Sequence, residues 1–504
     1  MTDLSSWVEK NAAFAPSKTA IRFEGEDIGY ARFAGTIRGY ARALKAVHGV
    51  RPGDRVAYLG FNSPAMLALF FACARLGALF SPLNWRLVAP ELAYILGDSA
   101  PRVLVADADH RDLASAAAAD CPAVTIPADR IARDAETAKG DDRNPAVTRE
   151  TPCLLVYTSG TTGHPKGAVL AQEAIQVNAH HCIHYAGLTD ADRVLTVLPM
   201  FHVGGLNILT SPAFYAGGTV ILHRRFDAAA TLRAIAEDRP TQLVLVPATI
   251  QAVIDLPGWA DADISSLRLL TTGSSIVPPH LIDAIHARGI PVCQTYGLTE
   301  TAPVAIYQKP GDCRLKPRST GKCGLHCEMA IADEDGNPLP DGASGEILIR
   351  GGNVLLEYWN NRDETRRAIR DGWFHTGDVG YRDPDGDVFV DDRKKDIVIS
   401  GGENIYPAEI EQLVHRMDDV EDVAVVGRHD ARWGEVPVAV VVPAPGAAIA
   451  AAEFLARFEG RLARFKHPKD VLFVDALPRN AMGKTLKHQL RDRVNRGQAR
   501  PARG

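Results

Sequence analysis

The feature that most constrains this chain is a short apolar strand that runs into a loop of small and hydroxyl-bearing residues. The strand is Leu154-Leu155-Val156, and the loop from Tyr157 to Gly167 holds four Ser or Thr side chains, three glycines and one lysine. An apolar run of this length suits a buried strand, so we expect the loop at an exposed strand end. Glycines let backbone N–H groups close around an anion, while hydroxyls and a lysine bind phosphate oxygens. The loop therefore predicts a polyphosphate site, although polar surface turns share this composition.

Strand-like and helix-like segments alternate through most of the chain, which predicts an α/β protein. Such alternation is typical of parallel βαβ units. Predicted strands are Thr19–Phe23, Arg55–Leu59, Val194–Leu198, Thr219–Leu222, Gln242–Val246 and Leu267–Leu270, and predicted helices are Tyr30–Val47, Ser63–Leu76 and one from Gln172 to about His181. The stretch from Asp107 to Asp142 has little pattern. Between Gly321 and Val390 the segments shorten and glycine turns multiply, which predicts a small antiparallel, barrel-like subdomain.

A dense charge run, Asp391 to Asp396, indicates a domain boundary. A chain of 504 residues is too long for one core. We therefore predict a large N-terminal domain of parallel βαβ sheets with the barrel-like subdomain (residues 1–392) and a small, mobile α+β C-terminal domain (residues 393–504).

Composition excludes several functional classes. The net charge of −5 gives no support for nucleic-acid binding. No apolar run is long enough to span a bilayer, and the first residues carry charges where a signal peptide needs an apolar core. Eight scattered cysteines indicate a reducing, cytoplasmic setting. Cys313, Cys323, His326 and Cys327 lie close in sequence, but without a CxxC pair we interpret them as ordinary loop residues rather than a zinc site.

The loop departs from the common nucleotide-binding motif, because Lys166 is followed by Gly167 rather than by Ser or Thr. It resembles the signature loop of the adenylate-forming enzymes, which include acyl-CoA synthetases, peptide-synthetase adenylation domains and firefly luciferase. Further motifs of that family follow in the family's order across about residues 10 to 490. The chain thus resembles an AMP-forming acyl-CoA synthetase of the fatty-acid or aryl-CoA ligase branch.

This resemblance implies which residues bind ATP. In the segment YGLTE, Tyr296 to Glu300, the ring would pack on adenine, Thr299 would meet the α-phosphate and Glu300 would hold Mg²⁺. Asp378, in Thr376-Gly377-Asp378, and Arg393 would bind the ribose. The implied ATP-binding residues are Thr158, Ser159, Gly160, Thr161, Thr162, Gly163, Lys166, Gly273, Ser274, Tyr296, Gly297, Thr299, Asp378 and Arg393.

The resemblance also implies where the acid binds. His202, in PMFHVGG, would orient the substrate carboxylate, and the acyl pocket would comprise His202, Val203, Gly204, Gly205, Ser274 and Gly297. The lining segments contain no Arg or Lys, which disfavours diacids of the malonate type. We expect Gly204, Gly205, Gly273 and Gly297 to leave room for a large acyl group. A medium- or long-chain fatty acid is our main prediction, with an aromatic acid of the cinnamate, ferulate or benzoate type as the alternative.

The predicted C-terminal domain completes the implied reaction. Lys484 would neutralise charge during attack on the α-phosphate, Lys395 would be the hinge, and Gly401, Gly402 and Glu403 would form the loop beside coenzyme A. The resemblance implies a two-step ligase: an acyl-adenylate forms with release of pyrophosphate, and coenzyme A then displaces AMP. Because the sequence ends soon after Lys484, we expect a free thiol acceptor rather than a carrier domain.

Two other classes stay open at this point. A luciferase-like oxidase would form the same adenylate and then consume oxygen. A non-enzymatic nucleotide-binding protein would keep the fold, but the presence of Lys166, Glu300 and Lys484 disfavours it. The expected partners are therefore a carboxylic acid, ATP with Mg²⁺, and coenzyme A, and the sequence leaves a homodimer open.

Overall fold

The computed structural model describes residues 3–158, 165–274, 277–393, 396–400, 403–430, 433–459, 461–462, 464–479 and 485–496. The strands are β1 (Thr19–Phe23), β2 (Glu26–Gly29), β3 (Arg55–Leu59), β4 (Leu79–Leu83), β5 (Val103–Ala106), β6 (Val124–Pro127), β7 (Pro152–Thr158), β8 (Lys166–Ala171), β9 (Arg193–Thr196), β10 (Thr219–Leu222), β11 (Gln242–Val244), β12 (Leu269–Gly273), β13 (Val292–Gly297), β14 (Val304–Tyr307), β15 (Lys322–Cys323), β16 (Cys327–Ala332), β17 (Gly345–Gly351), β18 (Glu357–Tyr358), β19 (Ile369–Arg370), β20 (Trp373–Arg382), β21 (Val388–Arg393), β22 (Val398–Ser400), β23 (Glu403–Ile405), β24 (Val420–Asp430), β25 (Gly434–Pro443) and β26 (Asp470–Phe473). The α-helices are α1 (Ser5–Phe14), α2 (Tyr30–Arg42), α3 (Pro64–Leu76), α4 (Ala89–Ser99), α5 (Arg111–Ala117), α6 (Ala128–Thr137), α7 (Gln172–Ala186), α8 (Val203–Asn207), α9 (Thr210–Ala216), α10 (Ala228–Glu237), α11 (Pro247–Ile254), α12 (Pro279–Ala287), α13 (Arg362–Ala368), α14 (Pro407–Val414), α15 (Ala451–Ala456) and α16 (Lys487–Asn495).

Two large sheets with mostly parallel central strands dominate the chain. One has seven strands in the order β18-β8-β7-β4-β3-β5-β6, and the other has nine in the order β15-β14-β13-β12-β11-β9-β10-β1-β2. The central strands are parallel, whereas edge strands such as β2, β14, β15 and β18 pair antiparallel. The predicted α/β class is confirmed.

Helix α3 illustrates how local sequence produces these layers. Ser63 caps it by accepting a hydrogen bond from the Met66 N–H, Pro64 occupies the first turn, and Gly77 ends it in the left-handed conformation. From Met66 to Leu76 every residue is buried. A helix that is apolar on all sides belongs in a protein interior, and α3 packs against β4 and β7 of the seven-stranded sheet.

Two smaller sheets follow. Strands β16, β17, β19, β20 and β21 form an antiparallel sheet, in agreement with the predicted antiparallel region. Strands β22 to β26 form the last sheet, around valine-rich β24 and β25. The predicted boundary between residues 392 and 393 stays a prediction.

The stretch from Asp107 to Asp142, which has little pattern in sequence, contains α5, β6 and α6. Strand β6 pairs with β5 at the edge of the seven-stranded sheet. The hydrophobic pattern of the whole stretch is weak because an edge strand and an exposed helix bury few side chains: only Ile131 of α6 is buried.

Candidate active site

The hydroxyl-rich loop joins two antiparallel strands. Thr158, the last residue of β7, pairs with Lys166, the first of β8, and its Oγ1 lies 3.5 Å from the Lys166 carbonyl oxygen. Residues Ser159, Gly160, Thr161, Thr162 and Gly163 lie outside the described residues. Gly167 follows, and a Cβ there would lie 2.7 Å from Leu155 Cδ1 and 3.3 Å from Trp359 Cβ. Glycine at this position therefore lets the segment before α13 pack directly on β8.

Lys166 and Glu300 meet at a tyrosine. The Lys166 ammonium lies 5.9 Å from the centroid of the Tyr358 ring and forms an ion pair with Glu364. The Tyr358 hydroxyl donates a 2.8 Å hydrogen bond to Glu300, which is only 8% exposed. One aromatic side chain thus links the lysine of the loop to the predicted metal ligand.

A second pair of predicted residues is in direct contact. The Tyr296 hydroxyl donates a 2.9 Å hydrogen bond to Asp378 Oδ2, which joins β13 of the nine-stranded sheet to β20 of the antiparallel sheet. Glu346 fixes the turn before Asp378 by accepting from the Gly377 N–H at 3.0 Å, and the Thr376 hydroxyl donates to the Ile347 carbonyl at 2.7 Å. These contacts hold the Asp378 carboxylate beside the tyrosine ring.

Three further predicted residues lie at the ends of β12 and β13. Gly273 ends β12, and Ser274 follows with φ +74°, a left-handed conformation that is uncommon outside glycine. Thr299 begins a single 3₁₀ turn that contains Glu300 and follows β13. The carboxyl ends of these parallel neighbours therefore bring Gly273, Ser274 and Thr299 to one edge of the sheet, where ligands of α/β proteins bind.

His202 stands immediately before helix α8. Its ring centroid is 4.6 Å from that of Phe201, and the centroids of the Phe201 and Trp85 rings are 6.2 Å apart. The residue as a whole is half-buried, yet its Nε2 is shielded from solvent and has no hydrogen-bond partner among the described residues. Burial, together with the nearby positive charge of Arg86, lowers the pKa of His202 to about 4. Its imidazole is neutral at physiological pH, with an unsatisfied nitrogen that fits a polar ligand group.

The expectation that four glycines leave space for the acyl group is wrong for three of them. A Cβ would lie 2.2 Å from the Pro199 carbonyl oxygen at Gly205, 2.4 Å from the Thr295 carbonyl oxygen at Gly273, and 1.7 Å from the Pro303 carbonyl oxygen at Gly297. These glycines admit neighbouring backbone rather than a ligand. Gly204 is the half-buried second residue of α8, and its role in leaving room for the acyl group stays a prediction.

The basis for disfavouring diacids also needs correction. The chosen lining segments contain no Arg or Lys, but the fold brings Arg86 close enough to His202 to depress its pKa. Arg86 lies about 120 residues earlier in the chain and stacks on Trp85, with its guanidinium carbon 4.8 Å from the ring centroid. A cation therefore stands near the predicted acyl pocket.

The predicted C-terminal residues are described only in part. Backbone pairing places Arg393, at the end of β21, opposite Asp378 of β20, and Glu403 begins β23. The side chains of Arg393 and Glu403, and the whole of Lys395, Gly401, Gly402 and Lys484, lie outside what the structure describes. Their roles stay predictions.

Sequence analysis missed three side chains: Tyr358, Glu364 and Glu346. Each is distant in sequence from the group it contacts, and Tyr358 and Glu364 belong to a segment with neither a glycine turn nor an apolar period. No local sequence pattern points to them: the long-range antiparallel pairing of β18 with β8 places Tyr358 opposite Ala168, next to the loop.

Elsewhere the described residues offer little that competes with this site. Within them no group of three or more His, Cys, Asp or Glu side chains is arranged to hold a metal ion. A surface cavity of about 480 Å³ lies at the carboxyl ends of β1 and β10, lined by Arg22, Arg224 and Arg225 among others, and it contains none of the predicted residues. No helix in the described part of the chain is long and apolar enough to cross a membrane.

Comparison with known proteins gives two family matches. The model of the AMP-binding enzyme family matches residues 8–359, and the model of the AMP-binding enzyme C-terminal domain matches residues 409–484. The chain is 50% identical to an indoleacetate–CoA ligase of Aromatoleum aromaticum, with 98% of both chains covered. It is 42% identical to a feruloyl-CoA synthase of an Amycolatopsis species, with 97% of this chain and 99% of the relative covered. Among solved structures, the o-succinylbenzoate CoA synthetase of Bacillus subtilis in complex with an acyl-adenylate intermediate superposes with a TM-score of 0.87 at 32% identity, covering 96% and 98% of the two chains.

Proposed function

The chain belongs to the AMP-binding enzyme family, and from that premise we propose that it is a two-step ligase for an aromatic carboxylic acid. Its relatives are acyl- and aryl-CoA ligases, and ATP, an acid and coenzyme A are the substrates that fit such an enzyme. In the first step the acid's carboxylate attacks the α-phosphorus of ATP, and pyrophosphate leaves. In the second step the thiol of coenzyme A attacks the acyl carbon, and AMP leaves.

The observation that carries the proposal is the meeting of Lys166, Tyr358 and Glu300. A lysine over the ring of Tyr358 and a buried carboxylate bound to its hydroxyl provide a cation for phosphate oxygens and an anchor for the phosphates' counter-ion. The Tyr296–Asp378 pair offers a ring face for a base and a carboxylate for ribose hydroxyls. The first group of residues suits the triphosphate of a nucleoside triphosphate, and the second suits its nucleoside.

Mg²⁺ fits Glu300 on the chemistry of the donors. Mg²⁺ bound with a nucleotide takes one or two carboxylates from the protein and completes its shell with phosphate oxygens and water. Glu300 is a single carboxylate, fixed by Tyr358 and without a cage of further acidic residues around it among the described residues. When bound, the ion would neutralise charge on the phosphates.

His202 would orient the acid. Its neutral ring carries one N–H that can donate a hydrogen bond, and Nε2 is buried without a partner within the described part of the chain. A carboxylate is already nucleophilic, so the site needs orientation here and not proton removal.

The aromatic acid is preferred over the fatty acid of our first expectation. The relatives with 50% and 42% identity act on indoleacetate and form feruloyl-CoA, respectively. The ring of Phe201 stands next to His202 and packs against the ring of Trp85, so the surroundings of His202 are aromatic. The alternative substrate class is therefore better supported than the main one.

The second half of the proposal concerns the residues after 392. We assign adenylation to Lys484, the hinge to Lys395, and the approach of coenzyme A to Gly401, Gly402 and Glu403, with the domain boundary between 392 and 393. We also keep the cytoplasm as the proposed location, because all eight cysteines are free thiols.

A panel of acids tests the substrate. Pyrophosphate release and coenzyme A-dependent AMP release are measured with indole-3-acetate, ferulate, octanoate and malonate, and kcat/KM values are compared. We expect one of the two aromatic acids to exceed octanoate by at least about tenfold, since one well-filled pocket contact is worth that ratio. Octanoate as the best substrate would restore the fatty acid, malonate would assign a binding role to Arg86, and AMP release that needs oxygen but not coenzyme A would indicate an oxidase.

A further inference from the structure

Two half-buried thiols lie side by side at the joint between two sheets. Cys323 is in β15, Cys327 begins β16, and their sulfur atoms are 3.7 Å apart. Neither residue has a part in the proposed reaction. We propose that Cys323 and Cys327 are a peroxide-sensitive modification site whose disulfide weakens ATP binding.

The loop between the two cysteines is held from both sides. The Leu325 N–H donates to the Tyr307 hydroxyl at 3.2 Å, and the His326 N–H donates to His181 Nε2 at 3.1 Å. The other nitrogen of His181 lies 2.8 Å from the Val304 carbonyl oxygen, which fixes its tautomer. These bonds keep the loop in one shape, so the thiols stay together in the reduced protein.

The distance between the sulfur atoms is short enough for a bond to form by small movements. A disulfide requires about 2.05 Å, so the atoms must close by about 1.7 Å. The neighbouring Cys327 thiol lowers the pKa of Cys323, because a thiolate at Cys323 can accept the Cys327 S–H across the 3.7 Å contact. The same contact, together with burial, raises the pKa of Cys327. Cys323 is therefore the first to react, since the thiolate is the nucleophile.

The chemistry requires an external peroxide. The Cys323 sulfur attacks one peroxide oxygen, the O–O bond breaks, and a sulfenic acid and water form. The Cys327 sulfur then attacks the sulfenic sulfur, the S–O bond breaks, and a second water leaves as the S–S bond forms. Two thiols lose two electrons and two protons to hydrogen peroxide, and a dithiol reductant reverses the change.

The thiol pair occupies a position from which it can disturb the nucleotide site. β15 is two strands from β13, which carries Tyr296, and β16 is two strands from β20, which carries Asp378. Tyr296 and Cys327 also pack against the same small hydrophobic cluster. The Tyr296–Asp378 hydrogen bond spans these two sheets at 2.9 Å and depends on their relative register.

Oxidation removes a contact between these two sheets. The Cys327 thiol lies 3.3 Å from the Ala305 carbonyl oxygen of β14 and donates to it, and a disulfide has no S–H to donate. Pulling β16 toward β15 while releasing β14 displaces β20 from β13. We expect the Tyr296–Asp378 contact to lengthen, and ATP to bind more weakly.

The test uses the full chain, hydrogen peroxide as the oxidant and two independent measurements. Trypsin cleaves after Lys322 and Arg350, so both cysteines share one peptide, whose mass falls by about 2 Da on disulfide formation. Cys293 and Cys313 share a different tryptic peptide and are buried, so this peptide reports in the same digest whether the peroxide also reaches buried thiols. ATP affinity is measured by calorimetry, which does not depend on the identity of the acid and therefore keeps this proposal separate from the proposed function.

We expect the oxidised protein to bind ATP about fivefold more weakly, the ratio that corresponds to one ordinary hydrogen bond, with recovery after dithiothreitol. Cys323→Ser and Cys327→Ser should lose this response, while Cys121→Ser, which removes another half-buried thiol, should keep it. No mass loss in the peptide from 323 to 350 overturns the site. A disulfide that leaves ATP affinity unchanged, or an equal response in Cys327→Ser, overturns its effect on the nucleotide.

Discussion

Tyr358 illustrates how a single hydroxyl prepares a buried carboxylate. Glu300 is 8% exposed, and a charged group at that depth loses most of its hydration. The Tyr358 hydroxyl replaces part of it with a 2.8 Å hydrogen bond, while the ring presents its face to Lys166. Hydrogen bonds to charged groups contribute about 1.5–3 kcal/mol, more than neutral ones. The carboxylate is thereby held ready before any ligand arrives.

Replacing Tyr358 with Phe should lower kcat/KM for ATP by about tenfold or more, because the lost bond is charge-assisted. The Mg²⁺ concentration needed for half-maximal rate should rise at the same time, since Glu300 becomes less well oriented. Tyr215→Phe is the matched control, because its hydroxyl lies 3.2 Å from a histidine nitrogen rather than a carboxylate. Steady-state rates across ATP and Mg²⁺ concentrations provide the measurement, and a Tyr358→Phe enzyme with normal values would show that Glu300 is oriented by something else.

His202 predicts a defined pH dependence of stability. Its pKa is about 4 in the folded protein and about 6.5 in the unfolded chain, so between these values the unfolded state binds more protons. Stability therefore rises with pH through this window and falls on acidification. His202→Gln cannot titrate, so its loss of unfolding free energy between about pH 7 and pH 5 should be smaller than that of wild type by at most about 2 kcal/mol.

Denaturant unfolding at the two pH values measures this difference, with His429→Gln, which changes an exposed histidine, as the control. Equal pH dependence in wild type and His202→Gln would contradict a buried neutral imidazole.

At the scale of elements, what occupies the space beside each glycine was the feature least predictable from sequence. Gly205, Gly273 and Gly297 were interpreted as empty space for a ligand, but each faces a backbone carbonyl. A glycine in a sequence indicates that a Cβ is absent, and says nothing about which atom occupies its place. By contrast, the strand and helix limits around α3 and β3 followed from apolar pattern and capping residues, which act locally.

Gly205→Ala should therefore destabilise the protein by about 1–3 kcal/mol or more, since its Cβ would meet the Pro199 carbonyl at 2.2 Å. Gly97→Ala is the opposite case: Gly97 is exposed in α4, and no atom lies within 4 Å of the added Cβ. Alanine there should stabilise by about 0.5–1 kcal/mol through helix propensity. Thermal unfolding measures the change in stability of both variants. Unchanged stability of Gly205→Ala would show that α8 can shift away from Pro199.

At the scale of the whole molecule, long-range contacts divide what was predictable from what was not. The loop, YGLTE and Thr376-Gly377-Asp378 were identified because each is a local motif with a family precedent. Glu364 contacts Lys166 across 198 positions, and Arg86 acts on His202 across about 120, so no local pattern links them. Such contacts depend on how β18 and α13 fold back onto the seven-stranded sheet, which sequence periodicity does not specify.

The proposed division of labour between the two parts of the chain predicts that the half-reactions separate. Lys484→Ala should slow adenylation by about 10²–10³, the usual cost of losing one group that stabilises transition-state charge. Thioester formation from a supplied acyl-adenylate should be preserved. Measuring both half-reactions decides this, and equal losses in both would indicate a structural role for Lys484.

Lys395→Pro tests the hinge in the same assays. Proline fixes φ and should hold the C-terminal part in one orientation, so that one half-reaction fails while the other continues. Normal rates in both would place the hinge elsewhere.

The ion pair between Lys166 and Glu364 has an expected consequence for which anions the site binds. A lysine without a counter-charge would attract chloride, sulfate or free phosphate, all abundant in cells. Glu364 occupies Lys166 instead, so an incoming ligand must outcompete a tethered carboxylate that never diffuses away. A single inorganic anion would gain only one contact in this exchange, whereas a nucleoside triphosphate bound as proposed would also contact Tyr296 and Asp378 with its base and ribose. We therefore expect the site to bind ATP in preference to inorganic anions.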